Sequence, residues 1–153
     1  MRPEKIVEMG RIIAFDAGKK RVGIAVTDKE RIIANGLTTL NVNEVLPFLS
    51  DYLEKEDVDI FVIGFPRQTT GEESEALRFI RPFAQSLKNK FPNIPIEWAD
   101  ERFTSKMAFQ TMIDGGVKKS KRRDKAMIDK ISATIILQSY LEKIGNEEIE
   151  NRK

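Results

Sequence analysis

The stretch from Arg11 to Asp28, RIIAFDAGKKRVGIAVTD, decides the fold of this chain. Its first part, Ile12 to Phe15, is a short apolar run that predicts a buried strand with Asp16 at its carboxyl end. A basic turn that contains glycine follows from Ala17 to Lys20, and a second strand-like run returns after it. Two such runs around a turn predict a β-hairpin. Because a carboxylate at the end of a buried strand needs a partner, we interpret Asp16 as a candidate metal ligand.

The remainder of the chain predicts one α/β domain with a mixed five-stranded sheet and helices on both faces. A third strand, Arg31 to Leu40, would complete an antiparallel meander, and alternating helices and strands then imply parallel crossovers. We expect a flexible leader over 1–10, a single domain over 11–144 and a polar tail over 145–153. The later predicted elements are helix 43–55 capped by Asn43, strand 58–64, helix 74–90 kinked or split at Pro82, strand 96–99, helix 104–113 and helix 125–144.

The composition restricts the possible chemistry. The chain has 153 residues, with neither cysteine nor histidine, so disulfides, thiolate zinc sites and cysteine nucleophiles are excluded. Any metal would need oxygen ligands, which favours Mg²⁺ or Mn²⁺. The formal net charge is +2, so attraction to nucleic acid would require a local basic patch. We expect a cytoplasmic protein without membrane contact, because no signal sequence and no apolar run of about 18 residues is present.

Three carboxylates that are distant in sequence are predicted to meet at one edge of the sheet. The first, fourth and fifth strands should run parallel, and their carboxyl ends share the edge where such sheets bind ligands. Asp16 leaves the first strand there and Glu101 leaves the fifth. Asp129 lies on the same helical stripe as Ala133 and Ile136, which should face the sheet. Such a cluster needs a cation, and two divalent ions about 4 Å apart would suit phosphodiester hydrolysis by metal-activated water.

Each acid also has a simpler explanation when it is considered alone. A lone aspartate at a strand end, such as Asp16, is more often a turn or cap residue. Asp100 and Glu101 could begin a helix, with Arg102 as an ordinary ion-pair partner. Asp129 could favour the helix N-terminus electrostatically. The predicted convergence of three acids is what favours the functional interpretation.

A basic segment, Lys118 to Lys125 (KKSKRRDK), precedes the helix of Asp129 and is predicted to neutralise the phosphates of a bound strand. Charge runs of this kind are more often solvated loops. No aromatic-rich platform for stacking bases is evident, which favours recognition of shape and backbone. The candidate nucleic-acid-binding residues are Lys19, Lys20, Arg21, Arg67, Arg102, Lys118, Lys119, Lys121, Arg122, Arg123 and Lys125.

Four blocks of the sequence resemble the YqgF (RuvX) family of pre-16S rRNA nucleases, also described as Holliday-junction-resolvase-like. The blocks are FDAGKKRVGIAV, VIGFPRQTTGEES, DERFTS and IDKISATIILQSYL, which together span about residues 11 to 141. The resemblance implies a ribonuclease H-like fold with strand order 3-2-1-4-5. It also implies that Asp16, Glu101 and Asp129 are the catalytic acids and metal ligands. Lys19 departs from the family pattern, in which threonine is typical, and so places an additional cation beside the site.

The resemblance implies a metal-dependent endonuclease that processes the 5′ end of pre-16S rRNA during ribosome biogenesis, as a monomer or weak homodimer that could act on ribosomal precursor particles. A Holliday junction resolvase acting on branched DNA is the first alternative, and it would require two active sites in a symmetric dimer. A non-catalytic RNA-binding assembly factor is the second. A nucleotide-binding module of the actin type is disfavoured, because it needs two domains to close on ATP.

Overall fold

The structure, a computed structural model, describes residues 10–66, 75–101 and 125–151. The helix expected over 104–113 and most of the basic segment lie outside these ranges. Within them, no helix has both the length and the apolar character that a bilayer span requires. The elements in chain order are β1 (Arg11–Ala17), β2 (Arg21–Thr27), β3 (Ala34–Asn41), a short 3₁₀ helix (Val42–Glu44), α1 (Val45–Lys55), β4 (Val58–Pro66), α2 (Leu77–Lys90), β5 (Ile96–Glu101) and α3 (Lys125–Asn151).

The five strands form one mixed sheet in the order β3-β2-β1-β4-β5. The pairs β1–β2 and β2–β3 are antiparallel, whereas β1–β4 and β4–β5 are parallel. The strand order and the antiparallel opening therefore confirm the prediction. Because β1, β4 and β5 run in one direction, their carboxyl ends lie along the same edge of the sheet, and β1 is the central strand.

Apolar layers cover both faces of β1. Ile13 and Phe15 are completely buried in the layer shared with α1 and α2, and Phe15 packs edge-to-face against Phe61 with ring centroids 5.5 Å apart. Ile12 and Ala14 are completely buried in the second layer, under α3. Strand alternation accounts for this division, since successive side chains point to opposite faces.

Several predicted boundaries differ from the structure. The strands β4 and β5 extend to Pro66 and Glu101, and α2 begins at Leu77. The third strand begins at Ala34, because the Asp28 carboxylate accepts the backbone N–H groups of Ile32 and Ile33 and holds the preceding residues in a turn. Arg31 in that turn has a φ of 58°. The predicted cap, Asn43, lies inside the 3₁₀ helix.

The helices differ from the prediction in their capping, in the effect of a proline and in the end of the last helix. The 3₁₀ helix that precedes α1 is capped by Asn41, whose backbone N–H donates to Glu44 Oε1 at 3.0 Å. Pro82 lies inside α2 without dividing it. The last helix continues to Asn151 rather than ending at 144, so it includes most of the segment predicted as a polar tail.

Candidate active site

The β1–β2 hairpin fixes the position of Asp16. This residue is the penultimate one of β1, and its partner across the antiparallel pair is Gly23 of β2. Asp16 shares a face with Ile12 and Ala14, which pack under α3. The turn is closed by the Gly18 N–H, which donates to the Arg21 carbonyl at 2.8 Å. Asp16 therefore lies on the α3 face at the carboxyl end of the central strand.

Asp129 of α3 lies directly over Gly23. A Cβ atom built on Gly23 would overlap the backbone carbonyl oxygen of Asp129 and would lie 3.1 Å from its Cβ. Directly opposed residues of an antiparallel pair have Cα atoms about 4.5–5.5 Å apart. Because Gly23 is the residue opposite Asp16, the two acids are neighbours across a single strand spacing. The prediction that Asp129 faces the sheet is confirmed.

Small residues on β2 and β3 allow this close approach of α3. On β2, the large residues Val22 and Ile24 face α1 and α2, whereas Gly23 and Ala25 face α3. On β3, a Cβ on Gly36 would lie 2.8 Å from the Cγ atom of a lysine on α3, Lys130. The alternation of large and small residues in VGIAV is the sequence signal that could have identified Gly23 in advance.

Arg21 supplies positive charge beside these acids. Its Nε donates to Asp129 Oδ2 at 2.9 Å, in an ion pair whose side chains are 36% and 24% exposed. An ion pair with this exposure contributes about 0–1 kcal/mol, because solvent screens it. Arg21 was predicted to contact phosphate, and the structure gives it an additional task, which is to orient the carboxylate of Asp129.

Glu101, the third predicted acid, is the last residue of β5, and its backbone pairs with Pro66 at the end of β4. Its main chain thus lies at the carboxyl edge, whereas the side chains of Asp100 and Glu101 are outside the described part of the structure. Within the described part, no group of three acidic side chains is positioned to hold one metal ion. The structure therefore brings Asp16 and Asp129 together and leaves the role of Glu101 a prediction.

Besides Arg21, the described cations near this edge are the exposed Lys19 and Lys20 of the hairpin turn and the exposed Lys125 at the start of α3. The turn is anchored because the Val42 N–H donates to the Lys20 carbonyl at 2.9 Å. These lysines can therefore present positive charge next to the acids. The other predicted nucleic-acid-binding residues lie outside the described ranges, namely Arg67, Arg102, Lys118, Lys119, Lys121, Arg122 and Arg123.

The donors brought together at this edge fit a hard divalent cation. Carboxylate oxygens are the ligands that Mg²⁺ and Mn²⁺ prefer. Gly23 places no side chain between Asp16 and Asp129, so both acids can be oriented toward a shared ion. The chain has no histidine or cysteine that would favour zinc instead.

A five-stranded mixed sheet in this order, with an acid at the end of its central strand and another on the final helix, defines a ribonuclease H-like fold. The chain belongs to the RuvX family, since the family model described as Holliday junction resolvase matches residues 10–143.

Curated relatives are similar over most of their length. A protein of Phocaeicola vulgatus is 56% identical over 134 residues, which cover 88% of this chain and 96% of that protein. A protein of Porphyromonas gingivalis is 55% identical, with 88% and 97% covered. Both carry the provisional name pre-16S rRNA nuclease.

A solved structure of Thermus thermophilus RuvC in complex with a Holliday junction substrate shares the fold. Its TM-score is 0.51 at 13% identity, and the match covers 89% of this chain and 96% of RuvC. At this level of identity the likeness supports the fold alone.

Proposed function

We propose that this member of the RuvX family is a divalent-metal-dependent endonuclease that processes the 5′ end of pre-16S rRNA. The observation that carries the proposal is the placement of Asp129 over Gly23, beside Asp16, at the carboxyl end of the central strand. The substrate is proposed because relatives that are 55–56% identical over nearly their whole length are named for it.

In this proposal Asp16, Glu101 and Asp129 hold Mg²⁺ or Mn²⁺, in a site for one or two ions. A bound ion would supply an activated water and would stabilise the charge that develops on the phosphodiester. Arg21 holds the Asp129 carboxylate in a fixed orientation through the 2.9 Å contact. Since the chain has no histidine, carboxylates are the groups that can accept a proton near this edge.

Lys19 and Lys20 would bind the phosphate backbone beside the acids, together with Arg67, Arg102 and the segment Lys118 to Lys125. Each phosphate neutralised in this way contributes to binding that weakens as salt increases. We place the reaction in the cytoplasm, on free precursor RNA or ribosomal precursor particles, and assign it to the domain over 11–144 acting as a monomer or weak homodimer.

Cleavage of branched DNA is the second candidate, and the description of the family as Holliday junction resolvase favours it. Resolution of a four-way junction requires two symmetric cuts and hence two copies of the active site in a dimer. The proposed RNA reaction requires one copy, so the two functions predict different active assemblies.

The test is cleavage of a pre-16S 5′-leader fragment and of a four-way DNA junction, each with and without Mg²⁺ or Mn²⁺. We expect metal-dependent cleavage of the RNA by the wild type, and a loss of about 10²-fold or more in Asp16→Asn and Asp129→Asn. Glu54→Gln is the matched control, because it removes an exposed acid from α1 and should cleave normally. Cleavage of the junction alone would favour the resolvase, and binding without any cleavage would favour the assembly factor.

A further inference from the structure

A groove lies on the face of the sheet opposite Asp16 and Asp129. It runs between α2 and the edge strand β5 and encloses about 490 Å³. Trp98 of β5 opens into it, because its neighbour Ala99 faces α3 and successive side chains alternate. Its lining includes Arg81, Gln85, Lys88, Ile94, Ile96 and Trp98.

Trp98 provides an aromatic surface in this groove. Trp98 is 41% exposed, and among the described residues it is the one aromatic residue in the set of large apolar groups left exposed. The Phe65 ring packs perpendicular to it, with centroids 5.7 Å apart, and holds the indole in place. A fixed, accessible indole is the kind of group on which nucleic-acid bases stack, whatever their sequence.

The wall formed by α2 is complementary to a polyanion. The helix carries the exposed cations Arg78, Arg81, Lys88 and Lys90, and its sequence contains no acidic residue. Arg81 and Lys88 are seven residues apart on the groove-facing stripe, which separates their Cα atoms by roughly 10 Å along the helix. Two cations at this spacing beside an aromatic ring match a strand with phosphates along one side and bases along the other.

The groove also lies close to the proposed cleavage site. Trp98 precedes Glu101 by three residues on β5, a distance of roughly 10 Å along the strand. In the part of the chain that the structure describes, β5 is the edge strand, so the groove and the carboxyl ends of the strands adjoin the same sheet edge.

We propose that this groove binds a single-stranded RNA segment adjacent to the cleavage site, with a base stacked on Trp98 and phosphates at Arg81 and Lys88. The choice of RNA over DNA rests on the proposed function, whereas the single-stranded character follows from the groove. The site would hold the unpaired flank of a structured substrate while the acids act on a neighbouring phosphodiester.

Trp98 makes the test direct, because it is the only tryptophan in the chain. Titration of the wild type with a single-stranded RNA decamer in EDTA should quench its fluorescence, and no cleavage is needed for this signal. The Trp98 fluorescence of Asp16→Asn should be quenched to the same extent. Loss of cleavage can therefore be distinguished from loss of RNA binding in the groove. Absence of quenching at concentrations where labelled decamer binds would overturn the proposal.

Two variants and a matched control measure the contributions to binding of a labelled decamer. Trp98→Leu should bind about 5- to 150-fold more weakly, the range expected for loss of one base–aromatic stack. Arg81→Gln/Lys88→Gln should reduce the steepness with which the logarithm of the binding constant falls with the logarithm of the salt concentration. The slope should decrease by about 1.4, for two lost phosphate contacts. Arg78→Gln/Lys90→Gln removes the same charge from the same helix outside the groove and should change the affinity less than about twofold.

Equal losses in the two charge variants would show that α2 attracts RNA through its net charge alone, which contradicts the proposed groove. A poly-glutamate decamer provides a further comparison, because it offers negative charge without stacking bases. If it quenches Trp98 with the same affinity as the RNA, the groove is a general anion site and the proposal is wrong.

Discussion

Gly23→Ala is the substitution that tests most sharply how the fold positions the acids. The added Cβ would overlap the Asp129 carbonyl oxygen and approach the Asp129 Cβ to 3.1 Å. The obstructing atoms belong to the backbone of a helix, so the contact cannot be relieved by rotating a side chain. The first turns of α3 must therefore move away from β2, or the strand must bend.

The expected cost has two parts. Overpacking of this kind destabilises a protein by about 1–3 kcal/mol, and the lower entropy of unfolded alanine offsets up to about 1 kcal/mol of that loss. In addition, the shift moves Asp129 relative to Asp16, and misplacement by about 1 Å can reduce catalysis on the order of 10²-fold. Urea unfolding measures the first part, and cleavage of the leader RNA measures the second.

Gly36→Ala is the matched control on the neighbouring strand. There the new Cβ would meet Lys130 Cγ at 2.8 Å and Thr134 Oγ1 at 3.1 Å, and both atoms belong to side chains of the same helix. The lysine can rotate away, so we expect a stability loss below about 1 kcal/mol and normal cleavage. The reasoning is refuted if Gly23→Ala unfolds and cleaves like the wild type, or if Gly36→Ala is equally damaging.

Three other substitutions test separate features. Thr27→Val should cost about 1–3 kcal/mol in urea unfolding, because the buried N–H of β1 that donates to Thr27 Oγ1 at 3.0 Å loses its acceptor, whereas Thr27→Ser should stay close to the wild type. Arg21→Gln should lower the free energy of unfolding by at most about 1 kcal/mol. Because the acids lose their compensating cation, Mg²⁺ should raise the thermal unfolding temperature of this variant more than that of the wild type, and an equal rise would contradict this. The pKa of Asp28 is held below its ordinary value of 3.8, first by the hydrogen bond from the Ile33 N–H. The contribution of the Asp28 carboxylate to stability is therefore present above pH 3.8 and is lost as the pH falls through the lower pKa of the folded state. The deficit of Asp28→Ala in urea unfolding should therefore be constant near neutral pH and shrink as the pH falls below about 4, and a deficit that does not shrink would be inconsistent.

The sequence predicts the fold well where a local pattern determines the packing. The hairpin around Asp16 and the apolar run of β4 specify a buried central region, whereas the strand order, which the structure confirms, is implied by the resemblance to the YqgF (RuvX) family. The stripe that contains Asp129 is equally informative, because Ala133 and Ile136 are buried against the sheet as the helical period requires.

The features that prediction missed depend on contacts between distant elements. The start of β3 is set by the Asp28 carboxylate, which captures two backbone N–H groups and delays the strand. Gly23 is important because α3 packs directly across it, which is a contact between elements that are distant in the sequence. The groove at Trp98 depends on the packing of α2 beside β5. It was missed because one tryptophan and two cations, Arg81 and Lys88, form no recognisable pattern in the sequence.

The central claim is that acids from separate parts of the chain share a divalent cation. Titration of Mn²⁺ into the wild type, Asp16→Asn, Glu101→Gln and Asp129→Asn, followed by the electron paramagnetic resonance signal of the free ion, tests it without requiring any substrate. We predict saturable binding by the wild type and affinity at least about tenfold weaker in each variant. Wild-type affinity in Asp16→Asn and Asp129→Asn would contradict the claim.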